Sequence, residues 1–230
     1  MLDLVVPKHI GFIVDGNRRW AKSHGLPAYE GHLAGYSAVQ EVALASFKSG
    51  IEFVSAYSFS TENWKRSKDE VNKLMGLALR LFKSDLPIFD KNNIKIKVLG
   101  SRENVSQRIL AAIDNAESKT VNNTGGTFAI CFNYGGQLEI VDAVKKVVQS
   151  GISVDDVSVD SISQNLYAPE VPPLDLIVRT SGEKRLSNFM LWRSAYSEIM
   201  FIDKLWPDMR KNDVIEIINQ FSKRARRFGK

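Results

Sequence analysis

Four short segments of the chain concentrate the residue types that handle phosphate. Asp15-Gly16-Asn17-Arg18-Arg19-Trp20 follows the apolar run HIGFIV (9–14), and Ser60-Thr61-Glu62-Asn63-Trp64-Lys65-Arg66 follows FVSAYSFS (53–60). Asn133-Tyr134-Gly135-Gly136 closes GTFAICFNY (126–134), and Arg179 through Asn188 follows LDLIVRT (174–180). Arginine grips phosphate oxygens through paired N–H groups. Glycine-rich turns add free main-chain N–H groups. So many cations point to more than one phosphate group. Asp15 then reads as a ligand for Mg2+, a hard cation that bridges a carboxylate to phosphate oxygens. Taken singly, each piece has a plainer reading. Asp-Gly is a common turn, Ser60–Asn63 can be a helix cap, exposed arginines are ordinary surface, and tryptophans usually serve the core. Their joint placement after successive apolar runs favours a site.

Those runs must be strands for the segments to meet. Short apolar stretches at 9–14, 53–60, 126–134, 174–180 and 198–202, with the alternating IKIKVLG at 94–100, read as strands. Between them, 35–50, 67–86, 102–120, 136–150 and 211–228 read as amphipathic helices, the second opening on a Ser67/Glu70 capping box. Strands alternating with helices predict an α/β fold. Its form is a single domain over 1–230, with an open, mainly parallel sheet flanked by helices. In such a sheet ligands lie beyond the carboxyl ends of the strands, where all four segments fall.

The totals narrow the class. The 230 residues are 44% apolar, a globular composition, and the net charge of +5 suits an anionic ligand. One cysteine, Cys131, excludes an internal disulfide and points to a reducing, cytoplasmic setting. MLDLVVPKHIG lacks the basic and long apolar regions of a signal peptide, and no stretch reads as lipid-spanning. The basic residues cluster after strands rather than along one aromatic-laced face, so no nucleic-acid partner is expected. P-loop, G-x-G-x-x-G, G-x-S-x-G and zinc spacings are absent; His9 reads as structural and DDVSVD (155–160) as a solvated turn and helix start. FIVDG resembles a haloacid-dehalogenase opening, but Ile13 stands where that chemistry needs a nucleophile.

With HIGFIVDGNRRWA, EGHLAG, YSFSTENWKR, NYGG, DLIVRTSGEKRLSNFMLW, WPD and RRFG in this order, the chain resembles the cis-prenyltransferases over nearly its whole length, most closely bacterial undecaprenyl diphosphate synthases. The resemblance implies condensation of isopentenyl diphosphate with an allylic diphosphate, usually farnesyl diphosphate, in the presence of Mg2+. The implied product is a cis-polyprenyl diphosphate such as undecaprenyl diphosphate, a cell-wall lipid carrier; the implied assembly is a homodimer working at the membrane surface. A short-chain synthase with an altered primer and a non-catalytic partner subunit are the alternatives.

Carried over by residue, the resemblance makes Asp15 the metal-handling carboxylate and assigns the allylic diphosphate to Gly16, Asn17, Arg18, Arg19, Trp20 and His32. Ser60, Thr61, Glu62, Asn63, Trp64 and Arg66 form the second motif, with Asn63 orienting substrate, because an amide does not titrate near neutral pH. Arg179, Arg185, Leu186 and Ser187 belong to the isopentenyl diphosphate site. The resemblance makes Glu198 a second metal ligand, across a dimer, and Arg227-Phe228-Gly229 either a tail that reaches a partner's site or a basic helix end that satisfies the dipole. Ser58, Leu74, Leu77, Leu81, Phe82 and Phe128 are candidate walls of a tunnel for the prenyl tail. Ala28 stands where the family usually carries an arginine.

Overall fold

The computed structural model of the chain describes residues 4–224. The elements run β1 (His9–Ile13), α1 (Asn17–Ser23), α2 (Ala28–Lys48), β2 (Phe53–Ser60), a 3-10 turn (Thr61–Lys65), α3 (Lys68–Lys83), α4 (Leu86–Lys91), β3 (Lys95–Leu99) and α5 (Gln107–Lys119). There follow β4 (Thr127–Tyr134), α6 (Gly136–Gln149), α7 (Val159–Ser163), β5 (Leu176–Arg179), β6 (Glu198–Phe201) and α8 (Lys211–Ser222). The strands form one six-stranded sheet in the order β3-β4-β2-β1-β5-β6, and every pairing is parallel. The α/β expectation holds, with parallel pairing throughout.

Period-two alternation divides the core. Phe128, Ile130 and Phe132 of β4 enter a large cluster with residues of α2, α3, α5 and α8, while Ala129 and Cys131 enter a second cluster with Tyr57, Ile177 and Phe189. Both faces of the sheet are covered, which is why the strands read as continuous apolar runs.

Helix ends account for most departures from expectation. The stretch 67–86 divides into α3 and α4, with Pro87 near the start of the second helix, where its fixed φ is tolerated. α2 begins at Ala28, earlier than 35, and α1 was not anticipated. The capping box at Ser67 is half formed: the Ser67 hydroxyl accepts from the Glu70 N–H at 3.3 Å, but the Glu70 carboxylate turns to Arg66 and His32. α8 is described to Ser222, and Arg227-Phe228-Gly229 lies outside the described residues. Among the described residues no helix is long and apolar enough to cross a membrane.

The chain passes from β1 to β2 on one side and later returns to β5 on the other. This strand-order switch opens a crevice at the carboxyl edge between β1 and β5.

Candidate active site

At that switch point the ends of β1 and β5 are laced together. The Thr180 hydroxyl accepts from the Asp15 N–H at 3.0 Å and donates to the Asp15 carbonyl at 2.6 Å. The Trp206 N–H adds a second donor to that carbonyl at 3.0 Å, and its indole N–H donates to the Gly35 carbonyl at 2.8 Å, so the buried Trp206 pins Asp15 to α2. Gly16, at φ +111°, then turns the chain into α1, a conformation that side chains disfavour.

The Asp15 carboxylate is thereby held against Arg179. Arg179 Nη2 donates to Asp15 Oδ2 at 2.8 Å, and Nη1 donates to the Arg185 carbonyl at 2.6 Å and the Ser187 hydroxyl at 2.8 Å. The Arg179 side chain is 4% exposed and that of Asp15 is 30% exposed, so the guanidinium is locked while the carboxylate still faces the cleft. Arg179 Nε is buried without a hydrogen-bond partner. Ser187 and Asn188 occupy the left-handed region, at φ +50° and +66°. That conformation turns the loop after β5 back over the strand ends.

Around this pair lies a pocket of about 540 Å3 lined by Asp15, Ser60, Glu62, Asn63, Arg66, Arg179, Ser187 and Asn188. Its far wall is self-supporting. Asn63 Oδ1 accepts from the Ser60 N–H at 3.2 Å, and the Ser60 side chain accepts from the Asn63 N–H, a reciprocal capping box. Burial pushes the Glu62 carboxyl up, but hydrogen bonds from its own N–H and from Asn188 outweigh this and hold it below its ordinary value.

A second pocket, of about 340 Å3, shares Asp15 and Arg66 with the first and adds Gly16, Asn17, Arg18, Arg19, His32, Glu183 and Arg185. Its cations are mostly paired. Arg19 reaches Glu183 at 3.3 Å and Asp15 at 3.6 Å, Arg66 donates to Glu70 at 2.9 Å, and Arg185 pairs with Glu183. Arg18 is exposed and makes no ion pair among the described residues. Burial, with the positive charge of Arg66, lowers the His32 pKa against the pull of Glu70, so His32 is neutral at pH 7.

A third pocket is apolar and holds about 90 Å3 between β2, β4, α2 and α3. It shares Asn17 and His32 with the second pocket, and Val14 lines all three. Ser58, Leu74, Leu77, Leu81 and Phe82 line it as expected. Phe128 does not. It stacks on Phe89 at 5.2 Å inside the core, so the tunnel expectation fails at that residue.

Residues 13–229 match the family model described as putative undecaprenyl diphosphate synthase. The chain is 44% identical to an isoprenyl transferase of Thermotoga maritima, covering 97% of each, and 42% identical to one of Neisseria meningitidis, covering 98% of this chain and 90% of the relative. The chain belongs to the undecaprenyl diphosphate synthase family of cis-prenyltransferases. It is therefore an enzyme that transfers prenyl groups. Its fold matches lavandulyl diphosphate synthase from Lavandula x intermedia in complex with dimethylallyl diphosphate (TM-score 0.95, 32% identity, 99% of this chain and 100% of that one). It also matches a probable undecaprenyl diphosphate synthase from Campylobacter jejuni (TM-score 0.83, 31% identity, 98% and 100%).

Not every expected site residue of this prenyltransferase faces a pocket. Trp20 stacks on His24 at 4.1 Å and donates to Asp208 at 2.7 Å. Trp64 donates to Asn133 at 2.7 Å and packs edge-on against Phe59. The Thr61 hydroxyl packs against the Gly135 backbone, and Leu186 joins the second core cluster. These four make those contacts and do not line the three pockets. Ala28 is exposed at the first turn of α2, outside the three pockets. Glu198 opens β6 opposite Leu176, at the amino half of the sheet, and pairs with Arg224 at 2.9 Å. Within one chain it does not join Asp15. Tyr57, Glu183 and Asn188 line the pockets and Thr180 and Glu70 brace their walls, all without being predicted as site residues. Thr180, Glu183 and Asn188 carried a signal, because they lie in the segment after β5, and Glu70 carried one in its capping box with Ser67; Tyr57 sits in an apolar run with none.

Proposed function

We propose that the chain is a cis-prenyl diphosphate synthase that joins isopentenyl diphosphate to an allylic diphosphate. The observation that carries this reading is the contiguity of two cation-lined pockets, which meet at Asp15 and Arg66, with one apolar pocket that shares Val14, Asn17 and His32. Two diphosphates and one hydrocarbon tail need that combination. The pocket beside Arg179 and Ser187 takes isopentenyl diphosphate; the pocket at Asn17, Arg18 and Arg19 takes the allylic diphosphate, with its tail in the apolar one.

In this reading the arginines stabilise the diphosphate as the allylic C–O bond breaks and its electron pair leaves with oxygen. The double bond of isopentenyl diphosphate closes on the allylic carbon, and loss of a proton restores an alkene. The products are the longer diphosphate, free diphosphate and a proton. Asn63, fixed by its bond to the Ser60 N–H, orients the attacking substrate and positioning supplies much of the rate. Asp15 fits Mg2+. Oδ2 is taken by Arg179, whereas Oδ1 has no cation closer than Arg19 at 3.6 Å. Asp15 is the residue that would hold the ion, beside the phosphates of the substrate. Bound there, Mg2+ would supply Lewis-acid stabilisation of the leaving diphosphate.

The volume of the apolar pocket favours a short allylic primer over farnesyl diphosphate and an undecaprenyl product. At about 90 Å3 it is smaller than the roughly 150 Å3 cavity that accommodates one benzene ring. The relative that holds dimethylallyl diphosphate supports the same choice. A role for Glu198 at the metal would need a second copy of the chain, as in a homodimer, which light scattering on the purified protein tests. The reaction is tested with labelled isopentenyl diphosphate, Mg2+ and dimethylallyl, geranyl or farnesyl diphosphate. Elongated, chain-sized products are expected, fastest from the short primers. Absence of extension from every primer would overturn the reading.

A further inference from the structure

Resting on the assignment of the apolar pocket to the prenyl tail, we propose that the Tyr36 phenol, which lines that pocket and is pinned by Asp85 just past α3, is the stop that sets product length. The lining of the pocket runs along α3 from Leu74 to Phe82, about 12 Å at ~1.5 Å per residue. At its mouth His32 and Glu70 tie α2 to α3, 3.3 Å apart. At the other end Asp85, just past α3, accepts from the Tyr36 hydroxyl and, at 2.6 Å, from Gln40 Nε2, both on α2. Arg80 lies over the Tyr36 ring at 5.4 Å. Asp85 is 12% exposed, so the phenol is held at its tip by a largely buried carboxylate and covered by a guanidinium. Swinging it aside breaks a connected polar network in a low-dielectric setting.

The other boundaries are solid. Phe59 and Phe82 pack on Phe132 with ring centroids 5.7 and 5.9 Å apart, and behind them Ala56, Ile130, Phe128 and Phe89 are buried. A tail growing in that direction must overpack a close-packed core. Against the Tyr36 ring lies Arg80, whose side chain is 54% exposed. Tyr36 is thus a lining ring that borders an exposed side chain, so its removal gives a longer tail a way out.

The test sizes labelled products from the full chain with dimethylallyl diphosphate and with farnesyl diphosphate. Tyr36→Ala is expected to shift the dominant product longer by at least one isoprene unit, with the isopentenyl diphosphate KM within about twofold of the parent. Tyr36→Phe keeps the ring but releases it from Asp85, and should broaden the distribution toward longer chains, which a purely packing role would not do. Ala78→Leu fills the pocket from the facing helix and should shorten the product. If Ala78→Leu shortens the product while Tyr36→Ala leaves it unchanged, the stop is not Tyr36 and the proposal is overturned with the function intact. If the parent extends no primer at all, the function assignment itself has failed. Should Tyr36→Ala not melt cooperatively, Tyr36→Leu gives the same comparison, and an unchanged product from it counts against the proposal.

Discussion

Asp15 and Arg179 are the residues on which the site depends, and their pairing has two consequences. Asp15→Ala removes the one carboxylate that faces both polar pockets and should lower turnover at least about 100-fold in Mg2+. It also leaves the buried Arg179 guanidinium without its partner, so the melting temperature should fall as well. Near-normal steady-state rates would remove Asp15 from the chemistry. Arg179 uses two nitrogens on three acceptors, a fork that lysine cannot reproduce. Arg179→Lys should raise the isopentenyl diphosphate KM by roughly tenfold or more. Arg185→Lys should raise it less, because the Arg185 side chain is exposed and paired with Glu183, and what Arg179 uses is its carbonyl. Equal effects in both variants would show that the Arg185 side chain also grips that substrate.

At the scale of elements, the contact between α1 and α2 is what carries Asn17 into two pockets. A Cβ on Gly31 would sit 2.0 Å from the Asn17 carbonyl oxygen, and one on Gly35 would sit 2.3 Å from Asn17 Oδ1. Only glycine allows the helices this close. Gly35→Ala gains about 1 kcal/mol of helix propensity while pushing the Asn17 carboxamide out of place. Stability should change little, whereas kcat/KM should fall by roughly tenfold. A loss of stability with unchanged kcat/KM would mean that Asn17 is only a packing residue. On the opposite face of the sheet, Glu139 of α6 is fully buried and accepts from Arg193 at 2.6 Å, while that arginine donates to the carbonyls of Tyr167, Ala168 and Val171. This pair ties α6 to the segments that flank β5. Glu139→Ala leaves an unpaired buried cation and should destabilise the fold by about 3–5 kcal/mol in urea titrations. A change below about 1 kcal/mol would show that water enters to solvate Arg193.

For the whole molecule, stability should depend on pH through His9. Its ring is buried between the Pro172 carbonyl, 2.8 Å from Nδ1, and the Ser55 hydroxyl, 2.7 Å from Nε2. Burial lowers its pKa from 6.5 to about 4. Below pH 6.5 the unfolded chain takes up a proton that the folded chain refuses until about pH 4. Its contribution is therefore complete above pH 6.5 and is lost progressively toward pH 4, by up to about 3 kcal/mol. His9→Gln should flatten that window in thermal melts at pH 7 and pH 5, and an unchanged slope would place the acid sensitivity elsewhere. What the sequence determined alone was everything set by local pattern. The apolar runs became strands, and Asp15, Asn63 and Arg179 fell at strand ends because a parallel sheet sends those ends to one edge. Tertiary structure decided which neighbours of those residues face inward. Trp20, Trp64 and Leu186 sit within site motifs yet turn to Asp208, Asn133 and the core, while Tyr57 comes to the site from an apolar run without a local signal. Tyr36, on α2, and Asp85, in the turn between α3 and α4, lie 49 positions apart, and their contact exists only once α2 and α3 pack together. Periodicity fixes the face a residue occupies, but the partner on that face is chosen by packing between elements distant in the chain, and no local pattern records it.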